Sequence, residues 1–130
     1  MKVKFIFASI ILVLVINGYA NNFYLQKNQD AEKGIEGIWQ GTLKISGIEL
    51  RILFKIKVEQ DGSFSATMDS PDQGAFGIAC TTTEYKDKTL TITVTDLTIE
   101  YVATLTEDNV FDGKFTQMGQ VFDMDLKKKE

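Results

Sequence analysis

Three kinds of residue in this 130-residue chain could do chemistry: carboxylates sharing a face, one thiol, and polar side chains around a proline turn. Asp123 and Asp125 lie two apart in an alternating stretch, so they share one face of a strand. Asp112 can stand across the preceding hairpin from them. Oxygens so placed suit a hard cation, although an exposed acidic face is more simply read as solvated. A glycosidase-type pair needs one carboxyl buried to raise its pKa, and alternation puts no acidic residue on an inward face. Histidine is absent, and Cys80 is the one cysteine. Ser–His and Cys–His nucleophiles, the commonest zinc ligand and thiolate metal clusters are thereby excluded. The expectation is a non-catalytic protein with no cofactor and no metal.

The segment Asp69-Ser70-Pro71-Asp72-Gln73-Gly74 holds the chain's one proline. It reads as a rim loop whose Asp69, Asp72 and Gln73 contact a ligand or partner, with Gln117 beside the last hairpin. Its plainer reading is a turn in which Pro71 presets φ and Gly74 relieves strain. The row Thr89, Thr91, Thr93 and Thr95 is the solvated side of a strand.

These residues need a scaffold, and the sequence supplies one of strands. Ile48, Leu50, Ile52, Phe54, Ile56 and Val58 occupy alternate positions, with Glu49, Arg51, Lys55 and Lys57 between them. That is a period of two, which a helix does not produce. The same pattern predicts strands near 37–46, 48–59, 63–69, 76–85, 89–95, 98–105, 110–117 and 121–127, with turns rich in Gly, Asp and Asn between them. The fold class is all-β. Eight strands with short connections predict an antiparallel up-and-down β-barrel; an open sandwich is the alternative.

The inward positions are almost wholly apolar. A site inside such a barrel suits a small apolar ligand, held near Trp39, Phe54, Tyr101 and Phe115. The competing expectation is a filled core, because a domain this small has little surplus burial to offset a void. Gly41, Ala66, Cys80, Ala103 and Gly113 are small and leave room. Cys80 itself is expected to be buried and inert.

Ahead of the strands, Lys2 and Lys4 precede an apolar run from Phe5 to Ile16, and Gly18-Tyr19-Ala20 provides small residues for cleavage. Residues 1–20 read as a signal peptide, too short in their apolar run for a span of about 20 residues. Residues 21–35 read as a linker or short helix, 36–127 as the barrel domain and 128–130 as a charged tail. Without Lys2 and Lys4, 12 basic residues face 18 acidic ones, a formal charge of −6. No basic patch argues for nucleic acid. The expected location is secreted or periplasmic, with no stable membrane insertion once the leader is cut.

Gly37-Ile38-Trp39 at the start of the first strand resembles the first lipocalin motif. The resemblance implies a Trp closing one end of the barrel under a basic side chain, with Arg51 and Lys127 as candidates. A longer stretch, 35–127, resembles the small lipocalin-like accessory domain of secreted bacterial α/β-hydrolases. Its carriers are Gly37-x-Trp39-x-Gly41-x-Leu43, Asp69-Ser70-Pro71-Asp72-Gln73-Gly74-Ala75 and Gly113-x-Phe115-x-Gln117-x-Gly119. The chain lacks Gly-x-Ser-x-Gly and histidine, so hydrolase activity does not carry over. Two functions follow as expectations. One is a lipocalin-like barrel binding a small apolar ligand. The other is a protein-interaction module with a secreted protein partner, as a free-standing accessory domain or a protease-inhibitor-like barrel whose residues 21–35 enter a protease cleft.

Overall fold

The computed structural model describes residues 34–107 and 109–130. The expected leader and most of the expected linker lie outside the described residues. The linker's last residue, Ile35, is described and is buried with the core.

Ten strands form one antiparallel sheet. They are β1 (Gly37–Ile45), β2 (Ile48–Val58), β3 (Phe64–Ser70), β4 (Ala75–Ala79) and β5 (Thr82–Lys86). The chain continues through β6 (Thr89–Val94), β7 (Ile99–Glu107), β8 (Val110–Gln117), β9 (Gln120–Asp123) and β10 (Leu126–Lys128). The ladder order is β4-β3-β2-β1-β10-β8-β7-β6-β5, with β9 attached to β8. The sheet curls around one apolar core that draws side chains from most of its strands.

Alternation explains why these segments are strands. In β2, Ile52, Phe54 and Ile56 are buried while Arg51, Lys55 and Lys57 are exposed. β6 to β8 repeat the pattern with Leu90, Ile92 and Val94, then Ile99, Tyr101 and Ala103, then Phe111, Gly113 and Phe115 inside. Ser46 and Gly47 both have positive φ, 50° and 81°. That is the geometry of the two-residue turn whose twist matches its flanking strands, and it fixes the register of Ile45 opposite Ile48. Ile48 was expected inside, but at this tip it lies past the end of the core and is 62% exposed.

Two of the eight expected strands are each broken in two. The predicted strand 76–85 becomes β4 and β5. Gly77 sits at φ +66° and the β3–β4 register shifts between Met68 and Ser70. This changes the facing of β4, so Phe76 points out to solvent while Ile78 is half-buried. At the break, Cys80 N–H donates to Ala66 O on β3, and the next residue, Thr81, donates to Thr93 O on β6. The chain thus passes from one end of the ladder order to the other in two residues, with no ladder joining β4 to β5. The predicted strand 121–127 becomes β9 and β10, parted by Met124-Asp125. β10 pairs with β1 only at Trp39↔Lys128 and Gln40↔Lys127, and it takes in Lys128, one residue beyond the expected end of the barrel.

A gap follows from this second break. Ile38 O accepts from Lys129 N–H, so even-numbered residues of β1 turn their backbone groups away from β2. Past Gln40, the groups of Thr42 and Lys44 face an open groove of about 930 Å³ whose far wall carries Val121, Asp123 and Asp125. β9 pairs with β8 and not with β1.

Candidate functional site

The antiparallel order sends the β1–β2, β3–β4, β6–β7 and β8–β9 connections to one end of the sheet. The interior differs between its two ends. Away from those connections it is filled with rings. Trp39 meets Phe111 edge-on at 4.7 Å, Phe111 meets Tyr85 at 6.0 Å, and Tyr85 meets Phe64 at 6.3 Å. Trp39 is fully buried, and its indole N–H donates to Ile35 O at 2.8 Å. The Lys128 ammonium lies 5.7 Å from the Trp39 ring centroid. A basic residue therefore covers the Trp, but neither expected candidate fills that place. Lys127 is the strand neighbour whose side chain takes the other face, and Arg51 is bound elsewhere.

Phe54 and Tyr101 stack midway, 5.6 Å apart. The Tyr101 hydroxyl donates to Met124 O at 2.7 Å, which anchors the backbone break between β9 and β10 to the core. Burial holds this phenol protonated well above its usual range, helped by the nearby Asp125 and Asp112 charges. The small residues do not leave the expected room. Space beside Gly41 is taken by Met124 and the Asp125 carbonyl, and space beside Gly113 by Tyr101 and Ala103.

Toward the connections the interior opens into a cavity of about 360 Å³. Its walls are Leu43, Ile45, Leu50, Ile52, Met68, Ile78, Ile99 and Phe115. Its polar groups are Ser70, Gln73 and Gln117, all uncharged. Of the four expected ligand-contacting aromatics, Phe115 lines this cavity, and Trp39, Phe54 and Tyr101 belong to the packed part. Of the four rim residues, Gln73 and Gln117 line it, whereas Asp69 and Asp72 brace it from outside.

That bracing is electrostatic. Asp72 is the middle residue of a one-turn 3-10 helix, Pro71–Gln73, and takes Arg51 in a two-pronged grip: Nη2 to Oδ1 at 2.9 Å and Nε to Oδ2 at 3.1 Å. The Arg51 backbone N–H also donates to Asp72 Oδ2 at 2.8 Å. These bonds hold the Asp72 carboxyl below its ordinary range and pin the loop to β2. Asp69 is only 5% exposed although alternation places it off the inward face. Its parity is outward, but the turn into β4 folds over it. The Gly77 N–H donates to Oδ1 at 2.7 Å and Lys55 lies 3.1 Å from Oδ2. Ser70, 1% exposed, donates to Gln73 Oε1 at 2.7 Å.

The Gly77 hydrogen bond, with Lys55 beside it, holds the Asp69 carboxyl below its ordinary 3.8. A depressed pKa contributes stability above the unfolded value, and that contribution is lost as pH falls through the folded one. Asp69→Asn should therefore lower stability at pH 7 by about 1–3 kcal/mol, the scale of a charge-assisted bond. The difference between variant and parent should shrink below about pH 4. Thermal melts of both proteins at pH 7 and pH 3 check this; an equal gap at both would refute it.

The remaining chemical candidates are structural. Cys80 is half-buried, and burial pushes its thiol up to about 11. Less than one thiol in a hundred is ionised at neutral pH on that figure, so native protein should resist iodoacetamide at pH 7.5 and react once unfolded in guanidinium. Rapid labelling of the native state would contradict this placement. Asp123 pairs with Lys114 across the β8–β9 hairpin. Among the described residues no three carboxylate or thiol groups converge on one point, and no helix is long and apolar enough to cross a membrane.

Sequence patterning missed Ser70 and the apolar wall from Leu50 and Ile78 as parts of one site, although the rim loop itself was visible from Pro71 and Gly74. Compared with known proteins, the chain matches no family model and none of the curated proteins.

Proposed function

We propose that this chain is a non-catalytic binding protein for a small apolar ligand, held in the cavity under the Ser70–Gly74 loop. The observation that carries the reading is the space of about 360 Å³ walled by aliphatic side chains and Phe115, with Ser70, Gln73 and Gln117 as its polar lining. A mostly apolar cleft with a few convergent polar groups is the usual form of a small-molecule site. Packed protein interiors leave few voids larger than a water, so a space of this size favours an occupant.

On this reading β4 and β5 act as one strand shared by both ends of the ladder, as do β9 and β10 along the other break. The result is a closed, lipocalin-like eight-stranded barrel with one packed and one open end. The resemblance around Trp39 and the lysine over its ring support it. Secretion or a periplasmic location remains part of the proposal through the leader-like residues 1–20.

Native mass spectrometry of protein purified from its own host tests the reading. A reproducible adduct of lipid-like mass, lost on unfolding, is the expected result. A bare chain mass, with no uptake of added alkyl ligands, would overturn it. A second reading, a protein-interaction module, is favoured by one observation: Ile48, Phe76, Met118 and Val121 near the open end are 60–80% exposed. Scattered apolar residues on a surface are common, so this reading stands second.

A further inference from the structure

We infer that the ligand is a single-chain amphiphile with an uncharged head group that both donates and accepts a hydrogen bond, a primary alcohol or amide rather than a carboxylate. This rests on the binding reading above and deepens it. The argument is one of charge and donor count at the mouth.

The two cations nearest the loop are already committed. Arg51 is held by Asp72, and Lys55 by Asp69. No basic side chain lines the cavity, and its polar groups are Ser70, Gln73 and Gln117. A carboxylate entering here would lose water without meeting a positive charge, which is costly in an apolar site. With the Arg51–Asp72 and Lys55–Asp69 pairs neutral, Lys44 is outnumbered at this end by Glu49 and Asp96, so the mouth offers a carboxylate no net positive charge.

The two amides present opposite needs. Gln73 Oε1 already accepts from Ser70 at 2.7 Å, so its NH₂ is the part left to donate. Gln117 directs its NH₂ at Leu97 O, 3.4 Å away, so its carbonyl oxygen is the part left to accept. A hydroxyl or a primary amide satisfies both. An ionised carboxylate can accept from the NH₂ groups but has no proton to give the Gln117 oxygen.

Volume sets the chain length. At about 30 Å³ for each water-sized group, the cavity holds on the order of twelve heavy atoms, which describes a chain of about ten carbons with its head. The aliphatic walls contain no polar group below the rim to receive a second one.

The experiment is a calorimetric or native-mass-spectrometric comparison of decan-1-ol, decanamide and decanoate at pH 8, with the full chain and with Gln73→Leu and Gln117→Leu. The expected result is tenfold or greater preference for the alcohol and amide over decanoate. Both leucine variants should narrow that preference to less than threefold; Gln117→Leu should melt close to the parent, whereas Gln73→Leu should melt lower because it leaves the buried Ser70 hydroxyl without its acceptor. Equal binding of all three ligands would overturn the head-group inference and leave the binding reading intact. Tighter binding of decanoate would do the same. Failure of all three to bind would overturn the binding reading itself.

Discussion

Trp39→Ala should cost about 3–5 kcal/mol, the range for removing a buried large aromatic, and should leave the protein unfolded or nearly so. Domains of this size are stable by only about 5–15 kcal/mol, so the loss takes most of the margin. Several contributions disappear together. The ring fills the end of the core against Phe111, its N–H satisfies Ile35 O, and the Lys128 ammonium lies over it. Without the ring, Ile35 O stays buried without its donor and Phe111 loses its edge contact. Trp39→Phe separates these effects. It keeps most of the packing and loses the hydrogen bond, so it should cost about 1–3 kcal/mol. Urea titration followed by circular dichroism checks both. Since Trp39 is the one tryptophan, fluorescence is a probe only for the parent. An alanine variant within 1 kcal/mol of the parent would show that this end is not packed as described.

Gly113→Val should be nearly as damaging, for the opposite reason. A Cβ at 113 would stand 2.5 Å from the Ala103 Cβ and 2.5 Å from the Tyr101 hydroxyl oxygen. Ala103 lies directly opposite on β7, and both it and the Tyr101 ring are fully buried in the core. Tyr101 is held by its bond to Met124 O, so displacing it also releases the join between β9 and β10. Overpacking typically costs about 1–3 kcal/mol and sometimes more. The top of that range or beyond is expected, because a buried hydrogen bond breaks at the same time. A control shares the chemistry without the crowding. Gly113→Val combined with Tyr101→Phe removes one of the two nearest atoms, the hydroxyl oxygen, and should recover part of the loss. Chemical denaturation of the single and double variants reads the coupling. Strict additivity would mean that the clash with the hydroxyl is not the cause.

The comparison between residue pattern and fold is informative at the places where they part. β2 and β6 to β8 were legible because one face of each is buried along its length, and burial writes a period of two into the sequence. Strand 76–85 was not, because Gly77 at positive φ and the register shift beside Ser70 reset the facing in mid-strand. Alternation has no way to announce such a reset. Asp69 shows the same limit. Its parity points outward, but burial there comes from a neighbouring turn, which depends on three-dimensional packing. The site divides similarly. Gln73 and Gln117 were visible through the turns beside them. The division of the interior into packed rings and an open end was not, because inward parity marks which side chains enter the core and not how closely they pack there. Choosing large aromatics as ligand contacts therefore favoured the residues that fill the closed end. Lys128, not Lys127, covers Trp39 because it shares the inward parity of Met124 and Leu126, which the break at Met124-Asp125 leaves unchanged, and stands opposite Trp39 in the register.

The gap between β1 and β9 has a different consequence, one of solubility and self-recognition. Two strand edges with open backbone groups invite another chain to add itself by strand pairing, the first step toward swapped dimers or fibrils. Here the invitation is guarded. Lys44 stands on the β1 side and Asp123, Asp125 and Lys127 on the other, so an incoming apolar strand would have to bury charges of both signs to seat. β9 is also only four residues long, too short to template an extended partner. The interruption that lets Tyr101 tie down the last strand thus leaves an unzipped margin, and the charges along that margin act as its gatekeepers.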